Sequence, residues 1–333
     1  MATSRFGRRR DRGFAAALGR LLDEIRNPTT GRAKVIVATL AALAFALLSL
    51  IVASVFFLSR ALMPPQAQES SASTFLASAE SVEFTTPDGN LHDAWFFPGL
   101  RDSPVIVLCH GYRSSRTEVM TLATSLQMHR YNVLAFNFAG HGDSPAKYTT
   151  LGNLESVELL AALRSLEGRT DVDISRVGLW GYSLGGYAAL SAAPDFPGVK
   201  AIVVDSVYPR PANLLRRELG RLGADIIPLL GPVTTLEFHI FSLFQEGRPG
   251  PREALPRLGG VPKLFIAGDD SPNLAQFTRE LYEQASDPKE LAALPRSNLA
   301  SMTEAERRTY EDLVVRFFLQ HLPLTPPPPA RPR

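Results

Sequence analysis

Residues 181–185 read Gly-Tyr-Ser-Leu-Gly, inside the longer stretch "RVGLWGYSLGGYAAL". An apolar, strand-like run enters this pentapeptide and a helix-forming run leaves it. A serine set between glycines in that way stands on a tight, strained turn that lifts its hydroxyl above the edge of a sheet. Five-residue Gly/Ser patterns arise by chance, and the strand before and helix after are what make this one specific. The chemistry it offers is nucleophilic attack on an acyl carbon, provided that a neighbouring base takes the hydroxyl proton. A carboxylate is available further on, where Asp269 and Asp270 follow the apolar run "PKLFIAG". Six histidines are spread over the chain, and none lies between His239 and His321.

The elements that must position these groups alternate along the chain. "SVEFTT", "LHDAWFFP", "PVIVLCH", "YNVLAFNF", "RVGLWG", "KAIVVDS", "PKLFIAG" and "KELAAL" read as strands, and the later ones are short apolar runs of the kind buried on both faces. Between them come helical patterns. "SRTEVMTLATSLQM" opens on a capping box, Ser115 to Glu118; "LESVELLAALRSL" repeats apolar groups at helical spacing; "TEAERRTYEDLVVRFFLQHL" starts behind Thr303 and Glu306. Alternation of this kind predicts an α/β fold, a mostly parallel sheet flanked by helices.

Residues 80–321 resemble an α/β-hydrolase, of the membrane-tethered single-domain kind grouped with the serine aminopeptidase and BEM46-like families. "VEFTTPDGNLHDAWFFP" is similar to their first hairpin, "VLCHGYRSSR" to their His-Gly oxyanion segment, "NFAGHGDS" to their G-x-G-x-S loop, and "DVDISRVGLWGYSLGG" to the approach to the elbow. The resemblance implies Ser183 as nucleophile, with the backbone N–H groups of Leu184 and Tyr112 as the oxyanion hole. It makes His110 and His141 structural loop residues. It also implies an acid after the strand "PKLFIAG": family spacing falls on Ser271, and a one-residue deletion brings Asp270 into that role, the alternative being that both aspartates form a solvated turn. Residues 207–260 correspond to the family's cap insertion. Their apolar stretches "ADIIPLL" and "LEFHIFSLF" would cover the site or touch the membrane surface, or else pack on their own domain.

The family's catalytic histidine belongs to a loop of the form P-G-A-x-H after the last strand. Here "LPRSNLASM" takes that place with Pro295 aligned, and Leu299 falls at the histidine. Losing that histidine from a serine-hydrolase triad costs on the order of 10⁶ in turnover, with ~10³–10⁴ over water left. Two substitutes present themselves, His239 from the insertion and His110 beside the elbow. Two functions therefore stand open: a serine hydrolase cleaving ester or amide bonds with an atypical base, and a catalytically dead pseudohydrolase that binds a ligand or partner at the membrane.

The membrane enters through Val35–Leu58, 24 residues without a charge. As a helix this run is about 36 Å long, enough to cross a ~30 Å hydrocarbon layer. Nine Arg/Lys precede it against three Asp/Glu, so residues 1–34 carry +6 while the rest of the chain sums to −4. The basic excess marks the cytoplasmic side and places the following residues outside. The run is too long for a cleaved signal peptide and "ALMPPQAQ" offers no good cleavage site, so an uncleaved signal anchor is expected. The organisation expected is a basic cytoplasmic segment (1–34), a transmembrane helix (35–59), a linker (60–79), the hydrolase domain (80–324) with its cap, and a Pro-rich tail (325–333). The acidic balance of the folded part speaks against nucleic acid as a partner. The single cysteine, Cys109, excludes an intramolecular disulfide and a Cys-based metal site, and the scattered histidines lack metal-ligand spacing. No cofactor is expected; the expected partners are the lipid bilayer, through residues 35–59, and a small ester, amide or acyl substrate.

Overall fold

The computed structural model describes residues 23, 30–65, 79–245 and 248–325. The amphipathic segment near the N terminus, most of the linker and nearly all of the Pro-rich tail lie outside the described residues. The chain divides into two units, Met1–Phe56 and Phe57–Arg333. The first consists, in its described part, of the apolar helix α1 (Gly31–Leu62), whose last six residues belong to the second unit. By length and composition α1 is able to cross a membrane.

The second unit is built on one eight-stranded sheet in the order β1-β2-β4-β3-β5-β6-β7-β8. The strands are β1 (Glu80–Thr85), β2 (Leu91–Phe97), β3 (Ser103–Cys109), β4 (Asn132–Phe136), β5 (Val172–Tyr182), β6 (Val199–Asp205), β7 (Lys263–Gly268) and β8 (Lys289–Leu294). β2 is antiparallel to both neighbours, and β4, β3, β5, β6, β7 and β8 run parallel. All eight strands read from the sequence are present.

Burial follows strand position. Central β3 and β4 are buried at every residue, whereas the edge strands β1 and β8 keep exposed positions carrying Glu80, Glu83 and Glu290. Charged groups on an edge discourage pairing with a further chain. Successive side chains of β3 enter opposite layers. Val105, Val107 and Cys109 join one core with α3 (Asn153–Ser165) and α4 (Leu184–Ala192). Ile106 and Leu108 join the other with α2 (Met120–Met128) and the C-terminal helix.

Between β6 and β7 the chain inserts α5 (Pro211–Arg221) and α6 (Leu230–Ser242). α6 buries Leu230, Thr234 and Phe238 but leaves Leu236, Ile240, Leu243 and Phe244 of the same region exposed. α7 (Pro272–Gln284) links β7 to β8, and α8 (Glu304–His321) closes the fold. α8 starts on the capping box expected from the sequence: the Glu306 N–H donates to Thr303 Oγ1 at 3.3 Å, and the Thr303 N–H donates to Glu306 Oε2 at 2.8 Å.

The capping box expected at Ser115 and Glu118 is a correction. A 3₁₀ turn, Arg116–Val119, precedes α2, and the Ser115 side chain makes no capping bond. Its hydroxyl pairs with Thr117 instead, Ser114 takes the Glu118 carboxylate, and Asn137 Oδ1 accepts the Arg116 N–H at 2.7 Å. Tertiary partners have displaced the local ones. Arg116 is itself buried, its guanidinium 3.9 Å from the Trp95 ring centroid and paired with Asp93 at 2.8 Å and Asp143 at 2.7 Å. This fixes the segment that follows β3.

The end of α1 is part of the second unit's core. Ala61 and Leu62 are buried, Tyr112 Oη donates to the Ala61 carbonyl at 2.7 Å, and the Thr149 N–H donates to the Leu62 carbonyl at 2.8 Å.

Candidate active site

β5 delivers Ser183 at its C-terminal end and α4 begins on the next residue. Ser183 has φ 50° and ψ −104°, a left-handed conformation that L-residues adopt only when the surroundings enforce it. Two features enforce it here. The Ser183 N–H donates to the Asp205 carbonyl of β6 at 2.8 Å, so the turn is tied to the neighbouring strand. The glycines let α4 come close: a Cβ on Gly181 would stand 2.4 Å from the Gly185 backbone, and one on Gly185 would stand 2.0 Å from the Cys109 carbonyl oxygen. The product is a buried hydroxyl, 2% exposed, whose Oγ has no hydrogen-bond partner.

Leu184 is the first residue of α4, so its N–H is among the donors that a helix leaves open at its start. Gly111 and Tyr112 follow the end of β3, next to β5. Gly111 has no room for a side chain, since a Cβ there would lie 2.4 Å from the Tyr182 ring. Tyr112 is anchored at its hydroxyl by the end of α1.

Ser183 opens into a cavity of about 600 Å³. Tyr112, Asn298 and Leu299 share its wall, so the position where a histidine was expected does face the serine's cavity, and it holds a leucine that is 4% exposed. Asp270 stands behind that loop. Its Oδ1 accepts the Ser297 N–H at 3.2 Å and its Oδ2 the Asn298 N–H at 3.1 Å, while Asp269 points outward to Arg279.

All six histidines are among the described residues, and none lines the cavity. His110 is excluded as a substitute base, which corrects one option left by the sequence. Its Nε2 accepts the Phe138 N–H at 3.1 Å, so Nδ1 carries the proton and donates to the Gly111 carbonyl at 2.8 Å. Both nitrogens are spent. Burial first, and then the neighbouring His141, push its pKa down to about 3. His141 packs its ring on Tyr112, and burial pushes its pKa down to about 4. His239 is exposed on α6, its Nδ1 bonded within the helix to the Thr235 carbonyl at 2.7 Å. His321 ends α8 beside Glu290.

Sequence reading missed a fully buried carboxyl, Asp205, at the end of β6. The Tyr310 hydroxyl donates to its Oδ2 at 2.9 Å and accepts in turn from Trp180 Nε1 at 3.1 Å, while Oδ1 has no hydrogen-bond partner. Burial pushes Asp205 up to about 7, with the Tyr310, Ser297 and Ser206 hydroxyls opposing it in part. An aspartate closing a strand that is apolar apart from Lys200 was the available signal. The folded carboxyl holds its proton up to about pH 7, whereas an unfolded one releases it near pH ~4. Its stabilising contribution is therefore complete below pH ~4 and is lost as pH rises through 7. Asp205→Asn does not ionise, so its melting temperature should gain on wild type between pH 5 and pH 8, by roughly 5 °C or more. Thermal unfolding of the full chain at the two pH values tests this, and a constant offset would count against it.

A parallel sheet in this order, with a strained serine between β5 and its helix, defines an α/β-hydrolase. The chain belongs to the alpha/beta hydrolase family, whose model matches residues 106–311. It is 27% identical over 254 residues to the uncharacterized protein YfhR of Escherichia coli K12, covering 74% of this chain and 82% of that one. It is 28% identical over 230 residues to the uncharacterized protein Rv2307c of Mycobacterium tuberculosis, covering 68% and 74%. Among solved structures, the Pyrococcus furiosus esterase Pf2001 superposes with a TM-score of 0.60 at 24% identity, covering 78% of this chain and 98% of that one. A dienelactone hydrolase from Anabaena variabilis superposes at 0.54 with 20% identity, covering 73% and 98%. At such identities the structural likeness bears on the fold alone.

Proposed function

We propose that this chain is a membrane-anchored serine hydrolase, related to the serine aminopeptidase and BEM46-like families, that cleaves ester or amide bonds through an acyl-enzyme on Ser183. The carrying observation is the strained turn that holds an unpartnered hydroxyl in a cavity, since a binding module has no need of one. The Leu184 and Tyr112 amides serve as the oxyanion hole, where such donors are worth ~3–4 kcal/mol. Asp270 serves as the acid of the site and holds the 297–298 loop. Residues 207–260 act as a cap, and α5 supplies part of the cavity wall. Without an imidazole the hydroxyl is activated poorly, so turnover is slow. α1 anchors the chain with its N terminus in the cytoplasm, because the basic residues precede it.

A second reading, a pseudohydrolase that binds without turnover, is favoured by one observation: the apolar side chain of Leu299 takes the base's place in the loop, and no histidine reaches the cavity.

One experiment separates these readings. Intact cells expressing the full chain are treated with a membrane-impermeant fluorophosphonate, and their membranes are washed with alkaline carbonate. A labelled band is expected in the washed membranes, absent in Ser183→Ala. No labelling of wild type would favour the pseudohydrolase. A band released by carbonate would remove the anchor, and labelling only in broken cells would reverse the orientation.

A further inference from the structure

The walls of the Ser183 cavity carry more positive charge than the protein neutralises. Arg113, Arg217, Arg221 and Arg307 line it, against the carboxylates Glu118 and Glu218. Glu218, almost fully buried, is shared by two of the arginines, with Arg221 Nε at 2.7 Å and Arg113 at 3.9 Å. Glu118 accepts from Ser114, and burial raises its pKa, with the Ala300 amide opposing; even counted as fully charged, the two carboxylates leave two of the four arginines unbalanced. Arg217 and Arg307 have no carboxylate within ion-pair distance among the described residues. Arg307 Nε is moreover buried without a hydrogen-bond acceptor, although Glu311 is near enough to feel its charge. Buried donors in folded proteins nearly always have partners, so an orphan of this kind marks a place for one.

The backbone is irregular at the same place. Arg113 sits at φ 63°, a left-handed conformation that a long side chain adopts only under constraint, one residue beyond Tyr112.

We propose that this cavity is an oxyanion site, so that the molecule taken at Ser183 carries a carboxylate or a phosphate group next to its ester. Guanidinium forks match the planar carboxylate and the phosphate face with paired, charge-assisted hydrogen bonds. A neutral ester would leave Arg217 and the Arg307 Nε unmatched. The inference rests on the hydrolase reading for the ester only; the anion site itself does not depend on an activated Ser183.

The test uses binding rather than turnover. The full chain is placed in nanodiscs of neutral phosphatidylcholine and titrated calorimetrically with hexyl phosphate, hexanoate and hexanol, with empty discs as the blank. The two anions should bind at least about tenfold more tightly than the alcohol, with the preference shrinking as salt rises. Arg217→Gln, at an exposed position whose loss leaves the core untouched, should reduce the preference, and Arg217→Gln with Arg307→Gln should remove it. Ser183→Ala should retain it, which separates this site from the serine's reactivity. Equal binding of all three probes, or a preference unmoved by the double variant at unchanged melting temperature, overturns the proposal. Discs containing phosphatidylglycerol identify the source of the anion: suppressed hexyl phosphate binding assigns the site to a lipid headgroup, and an unchanged isotherm assigns it to a soluble anion. Either result supports an oxyanion site.

Discussion

In Leu299→His, fluorophosphonate labelling of Ser183 is expected to run at least about 10³ times faster than in wild type, a conservative share of what a triad histidine contributes. Three observations make the substitution sufficient. Position 299 already shares the cavity wall with Ser183. Asp270 already grips the preceding residues through the Ser297 and Asn298 amides, so the loop needs no rearrangement to sit over that carboxylate. Imidazole and isobutyl groups are close in size, so the exchange changes little volume at this buried position. The rate should rise with pH through a single ionisation, since the imidazole acts as a base only when neutral. Labelling rates of the two proteins across pH 5–8, beside their melting temperatures, measure this. An unchanged rate in a folded Leu299→His would mean that the loop does not aim position 299 at the hydroxyl.

The second large effect concerns stability. Gly185→Ala adds one methyl group, which would lie 2.0 Å from the Cys109 carbonyl oxygen and 2.5 Å from its carbon. Both atoms are backbone of a central, fully buried strand, so no side-chain rotation relieves the overlap. Either α4 moves off the sheet or the β3–β5 pairing yields, and both routes carry Ser183 with them. A loss of about 3 kcal/mol or more is expected, at the upper end for overpacking. Gly231→Ala is the control. That glycine lies in α6 with nothing within 4 Å of its would-be Cβ, so alanine there should be neutral or stabilising by up to about 1 kcal/mol. Urea unfolding of the three proteins in one detergent decides the matter. Equal midpoints for the two variants would show that the elbow does not depend on the close approach.

The fold was legible because its signals are local. Strands such as "PVIVLC" are apolar throughout, and the serine turn needs glycines at fixed offsets. Features set by several distant segments were not. Arg113, Arg217 and Arg307 meet in one cavity although nearly 200 residues separate the first from the last, and no spacing announces that. Ser115 and Glu118 fit a capping pattern, but Asn137, far along the chain, outbid the cap for the Arg116 amide. His110 remained an open candidate for base until both ring nitrogens were seen to be bonded. Asp205 looked like the end of a strand, and only its burial between Tyr310 and the serine turn gives it meaning.

The last turn of α1 has a consequence for any shortened form of this protein. The Ala61 and Leu62 carbonyls receive the Tyr112 hydroxyl and the Thr149 amide, and both residues are buried in the domain. A chain trimmed to begin after residue 62 keeps every strand but leaves two donors without acceptors and strips a patch of core, one of those donors belonging to a wall of the Ser183 cavity. Cleavage at that point is therefore not neutral for the domain that follows. It strips away a segment that the hydrolase domain uses as its own, so the end of the long apolar helix and the integrity of the site are carried by the same stretch of polypeptide.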